Sequence, residues 1–160
     1  MVKLAVMRQG REVDAVPFQP LRMLILTDDD RGFCGKVVPE MKRLLEHRAF
    51  LVDTHRVADG PVDIKSYRGM ILGSPVYGAG IRGVGPTPAL TAFVEALPEL
   101  DGMGVAAFCV YPIRPGTTLP RMKGLILARG GSFVASWAFW LLQPDRGAHI
   151  LPTECMVRIR

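Results

Sequence analysis

The sequence predicts an α/β fold: a doubly wound, five-stranded parallel sheet in the order 2-1-3-4-5, preceded by a short N-terminal extension. Five short apolar runs alternate with stretches whose apolar residues recur every three or four positions, the pattern of strands joined by crossover helices. Those runs carry few polar interruptions, as strands covered on both faces do. The stretch MILGSPVYGAG at 70–80 breaks from an apolar run into a loop of Gly, Pro and Tyr. Such a loop at the carboxyl end of a central strand suits a flat ligand: glycines allow close backbone approach and Tyr77 supplies a stacking face.

The elements follow in chain order. Residues 1–22 form the extension, with two apolar segments at 2–7 and 13–18 separated by Arg-Gln-Gly-Arg, read as a strand pair or an arm; the main domain is 23–160. Residues 21–26 are the first strand, broken only by Arg22, and 27–35 the loop after it. Val37, Val38, Met41, Leu44 and Leu45 make one face of a helix over 36–47, with Pro39 in its first turn. A second strand at 50–52 is followed by a polar stretch with room only for a short helix before the central strand. Pro86 and Pro88 introduce a helix over 89–97, and 105–110 is a fourth strand leading into a loop at 111–118. A helix from 119 stops at Gly130-Gly131, 133–139 is the fifth strand, and the last twenty residues read as irregular cover. In this strand order the loops at 27–35, 74–80 and 111–118 meet at the switch point, where ligands bind.

The 160 residues suffice for one core without disulfides or metals. With 49% hydrophobic and 22% charged residues, no apolar run approaches the roughly 20 residues of a membrane span. The charged amino terminus lacks the apolar block of a secretory signal, so a cytoplasmic location is expected. Cys34, Cys109 and Cys155 have no CxxC spacing and read as reduced thiols, with no metal site. The net charge of +5 comes from scattered Lys and Arg without a basic aromatic stripe, so no nucleic acid is indicated.

From 23 to 139 the chain resembles the flavodoxin-like family. The resemblance is carried by Tyr67-Arg68-Gly69-Met70-Ile71-Leu72-Gly73-Ser74-Pro75-Val76-Tyr77, followed by Pro88, Leu90, Phe93, Leu97 and Gly102. It implies an FMN cofactor, with the phosphate wrapped by the loop after the first strand and the ring held by the loops after the third and fourth. Carried over to this chain, Thr27, Arg31, Gly32, Phe33 and Cys34 lie in the phosphate loop. Ser74, Pro75, Val76, Tyr77, Gly78, Tyr111 and Arg114 lie on the ring side. Arg114, flanked by prolines, is the candidate for an anionic group. The implied function is electron transfer or reduction of a small acceptor such as a quinone, with a redox partner protein or that acceptor as partner and no catalytic side chain. The basic balance favours a reductase, or a partner with an acidic docking face.

The chain departs from the family in its phosphate loop, where Asp28, Asp29 and Asp30 replace hydroxyl side chains. One aspartate is expected to cap the following helix and the others to face water. The triplet also motivates a flavin-free binding or scaffold module. A third reading is a degenerate receiver-like domain binding Mg²⁺ through Asp28 and Asp29, although Gly73 or Ser74 stands where such a domain needs its phosphoacceptor. Cys34 reads as a structural thiol, His47 and His55 as surface residues, and Phe133, Trp137 and Phe139 as core and cover. Trp140 lies just beyond the fifth strand, free to face a cofactor or partner.

Overall fold

A computed structural model describes residues 19–29, 32–78 and 84–142. The expected strand pair or arm at 1–18, and the expected cover from 143 onward, lie outside the described residues. The uninterrupted apolar runs become the central strands: β1 (Arg22–Thr27), β3 (Gly69–Pro75) and β4 (Gly104–Tyr111) are buried along nearly their whole length. With β2 (Leu51–Arg56) and β5 (Ser132–Trp140) they form one parallel sheet in the order β2-β1-β3-β4-β5, as the sequence predicts.

Helices cover both faces. On one, α1 (Val38–Glu46) sets Met41 and Leu45 against Met23, Ile25, Ile71 and Phe108. On the other, α2 (Pro88–Ala96) and α3 (Thr118–Ala128) set Leu90, Val94, Met122 and Ile126 against Leu24, Leu26, Met70 and Leu72. Gly73 is required by this packing, since a Cβ there would lie 2.1 Å from Cζ of Phe108. A single 3-10 turn at Val57–Asp59 fills the space between β2 and the approach to β3, matching the expectation of a short helix there.

Two strands run further than their apolar cores. β2 extends to Arg56 rather than ending at Val52, because an edge strand buries only one side and its polar residues reach water. β3 includes Ser74 and Pro75, which the sequence reading places in the loop. Both are paired with β4, at Cys109 and Val110, and buried. At the far end of the sheet, Arg22 bonds Asp53 at 2.6 Å, and Tyr67 donates its hydroxyl to the same carboxylate at 2.9 Å, tying β1, β2 and the entry to β3 together.

Candidate functional site

The carboxyl ends of β1, β3 and β4 stop beside one another, with Thr27 paired to Gly73 and Pro75 to Val110. The loops that leave them build the site. After β3, the Val76 N–H donates to the Val110 carbonyl at 3.0 Å, fixing this loop to β4. Tyr77 and Gly85 then exchange two backbone hydrogen bonds at 2.8 and 2.9 Å, closing a short antiparallel bridge. Gly78 follows at φ +98°, a conformation that favours glycine. Tyr77 is left 47% exposed at the rim. A cavity of 260 Å³ opens here, walled by Pro75, Val76 and Tyr77 on one side and Thr87, Pro88 and Ala89 on the other, with Asp28 between.

Thr87 is the hinge of this wall, and the sequence reading did not single it out. As the N-cap of α2 its hydroxyl oxygen accepts from the Leu90 N–H at 3.2 Å, while its hydroxyl donates to the Asp28 carboxylate. Its own N–H donates to Ser74 Oγ at 3.1 Å, and Ser74 Oγ donates to the Pro75 carbonyl at 2.8 Å. The signal was Thr87-Pro88: a capping residue before a proline at the first helical position. Asp28 is only 3% exposed, so the expectation that it faces water is corrected: the end of β1 and the start of α2 enclose it.

The neighbouring aspartate does not cap α1 as expected: the N-cap of α1 is Val37, with no side-chain cap bond, and the aspartate bonds the chain ahead of the helix. Asp29 Oδ1 accepts the Cys34 N–H at 2.8 Å, where a 3-10 turn (Cys34–Lys36) leads into α1. Its other oxygen lies 3.1 Å from the position a Cβ on Gly35 would take, so a side chain at 35 would crowd it. Gly32, at φ +70°, donates its N–H to the Asp29 carbonyl at 3.0 Å and turns the loop back. Phe33 is half-buried against the α1 face of the core. Arg31 and Asp30 lie outside the described residues. Cys34 is buried; burial first, then the charges of Asp29 and Asp28, push its thiol far above the ordinary range, which agrees with a structural thiol.

On the β4 side, Tyr111 is the last strand residue and half-buried, and Arg114 is exposed. Trp140 ends β5 with its indole N–H donating to the Pro112 carbonyl at 3.1 Å, which braces the 111–118 loop. Thr117 donates its hydroxyl to the Val84 carbonyl, joining this loop to the one after β3. The structure thus brings together Thr27, Ser74, Pro75, Val76, Tyr77 and Gly78 with Asp28 and Thr87. Ser74 contributes through its bonds within the chain, since its hydroxyl is buried and occupied. His47 is exposed as expected, whereas His55 is half-buried, with Nε2 2.7 Å from the Gly60 carbonyl.

Solved structures with this architecture include flavodoxin 1 from Bacillus cereus, at TM-score 0.69 and 14% identity over 86% of this chain and 98% of that one. Reduced Megasphaera elsdenii flavodoxin matches at TM-score 0.69 and 20% identity over 83% and 92%. Fusobacterium nucleatum flavodoxin bound to flavin mononucleotide matches at TM-score 0.57 and 18% identity over 71% and 68%. The chain has the flavodoxin-like fold. No protein-family model and no curated protein sequence matches it. Among the described residues, no helix is long and apolar enough to cross a membrane, and no three His, Cys, Asp or Glu side chains are grouped to hold a metal.

The residues meet the needs of a flavin unequally. Where the sequence resemblance would put the ring, the chain has an exposed Tyr77, an exposed Gly78 and the half-buried Tyr111. The loop after β1, where the sequence resemblance would put a flavin's phosphate, does not fit one: the Cys34 N–H already holds the Asp29 carboxylate, and Asp28, bonded to Thr87, is a second carboxylate at the end of β1. A phosphate charge at about 5 Å from a carboxylate is repelled by roughly 3 kcal/mol at an effective dielectric near 20.

Proposed function

We propose that this chain binds a flavin at the carboxyl ends of β1, β3 and β4 and serves in electron transfer or in reduction of a small acceptor such as a quinone. The observation that carries this reading is the pairing of a half-exposed Tyr77 with a cavity at the switch point of a flavodoxin-like sheet. FMN is the form bound in the Fusobacterium nucleatum structure and the form the sequence resemblance implies. When bound, a flavin would supply one- and two-electron redox chemistry to the site.

The chain's own part is positional. Tyr77 offers its ring face, beside the exposed Gly78, while the backbone hydrogen bonds of Val76 and Tyr77 to Val110 and Gly85 hold that face in place. Tyr111 closes another side, while Arg114, exposed on the adjoining loop, offers a charge to an anionic substituent or partner. The +5 net charge suits a partner with an acidic docking face. In this reading the flavin domain, in the cytoplasm, begins with β1, which takes in Arg22 from the stretch expected as an extension.

A second reading, a flavin-free binding or scaffold module, is favoured by Asp28 and Asp29, whose carboxylates are held within the chain. The two separate in one titration. Purified chain added to riboflavin or FMN should quench the flavin's fluorescence and shift its visible spectrum. If neither flavin responds at saturating protein, the flavin reading fails. The module reading then predicts that Ser or Thr at positions 28–30 creates FMN binding.

A further inference from the structure

We propose that the site is specific for a flavin with an uncharged tail, riboflavin rather than FMN; this rests on the flavin reading above. The Cys34 N–H, which would meet an anion at the entry to α1, is bonded at 2.8 Å to Asp29 Oδ1. The second Asp29 oxygen lies over Gly35, 3.1 Å from where a Cβ would stand. The turn is closed by the chain's own anion.

Asp28 adds to this effect from the cavity side. It is 3% exposed, accepts the Thr87 hydroxyl and borders the cavity beside Tyr77. Two adjacent carboxylates thus stand where the chain after β1 would wrap a ligand's tail. They repel a phosphate dianion. A ribityl chain ending in a free hydroxyl brings no charge for them to oppose. The same two residues, already hydrogen-bonded within the chain, therefore select against the phosphate.

The test is a pair of fluorescence titrations of the full chain, with riboflavin and with FMN in the same buffer. Riboflavin is expected to bind at least tenfold more tightly. Asp29→Asn keeps an oxygen acceptor for the Cys34 N–H but removes the charge, so the ratio of the FMN to the riboflavin Kd should fall at least tenfold. If that variant does not fold, a salt series on the natural chain serves: the preference should shrink as salt screens the repulsion. FMN binding as tightly as riboflavin, a ratio unmoved by Asp29→Asn, or a preference independent of salt overturns the proposal and leaves the flavin reading standing. Binding of neither flavin overturns both.

Discussion

Thr87 hands its hydroxyl hydrogen to Asp28 across the junction of α2 and β1, while the same oxygen receives the Leu90 N–H. One side chain therefore caps a helix and partners a buried carboxylate. Thr87→Val keeps the shape and removes both bonds. An N-cap contributes about 1 kcal/mol, and a buried charged acceptor left without its donor costs about 1.5–3 kcal/mol more. Urea unfolding should show a loss of roughly 2–4 kcal/mol for Thr87→Val, with Thr87→Ser recovering most of it. A loss below about 0.5 kcal/mol would show that the pair is inconsequential.

The end of α1 points to a gain. Ala49 sits at φ +64°, where the Phe50 N–H reaches the Leu45 carbonyl at 3.3 Å, a helix-ending turn that ordinarily uses glycine. The left-handed conformation costs a residue with a Cβ about 1 kcal/mol. Ala49→Gly should raise stability by roughly 0.5–1 kcal/mol in thermal or urea unfolding, and a decrease would contradict the backbone assignment.

Asp53 couples stability to pH. Its hydrogen bond from Arg22, then that from Tyr67, holds its carboxyl below the usual range. A folded pKa below the unfolded value of about 3.9 means that this contribution is complete above that value and lost as pH falls through the folded one. Comparing urea midpoints of the natural chain and Asp53→Asn from neutral to strongly acidic pH, the difference should be constant above about pH 5 and disappear in acid. A difference that persists undiminished in acid would mean that the carboxylate charge is not what Arg22 and Tyr67 hold.

The thiols at 34 and 109 should be inert. Both are buried, and burial pushes the Cys109 thiol up to about 12. In a Cys155→Ser background, a disulfide-exchange reagent at mildly alkaline pH should label neither until denaturant is added. Prompt labelling of the native chain would place a thiolate at the surface.

The sheet order was legible because three central strands are nearly unbroken apolar runs and the helices between them repeat every three or four residues. The length of β2 was not, because its outer residues are polar for the same reason that they are at an edge. The site was legible as loops but not as a hydrogen-bonded unit. Tyr77 could be read from Gly-Ser-Pro-Val-Tyr, yet Ser74 and Pro75 are strand residues facing inward, and Asp28 is enclosed by a threonine 59 positions away. Sequence spacing shows charge in a loop; whether that charge meets water, a backbone N–H or a distant hydroxyl depends on tertiary packing. That one aspartate would take a nearby backbone N–H could be foreseen, since such bonds are local, but the N–H is that of Cys34 ahead of α1 and not one in the helix's first turn.

Amide spectra of the ¹⁵N-labelled chain with and without riboflavin report whether a flavin sits against Tyr77. The amides of Val76, Tyr77 and Gly78 and of the 111–116 loop should shift on titration, while those along the outer faces of α2 and α3 stay in place. A spectrum unchanged at saturating riboflavin, or shifts confined to the helices away from these loops, would contradict that placement.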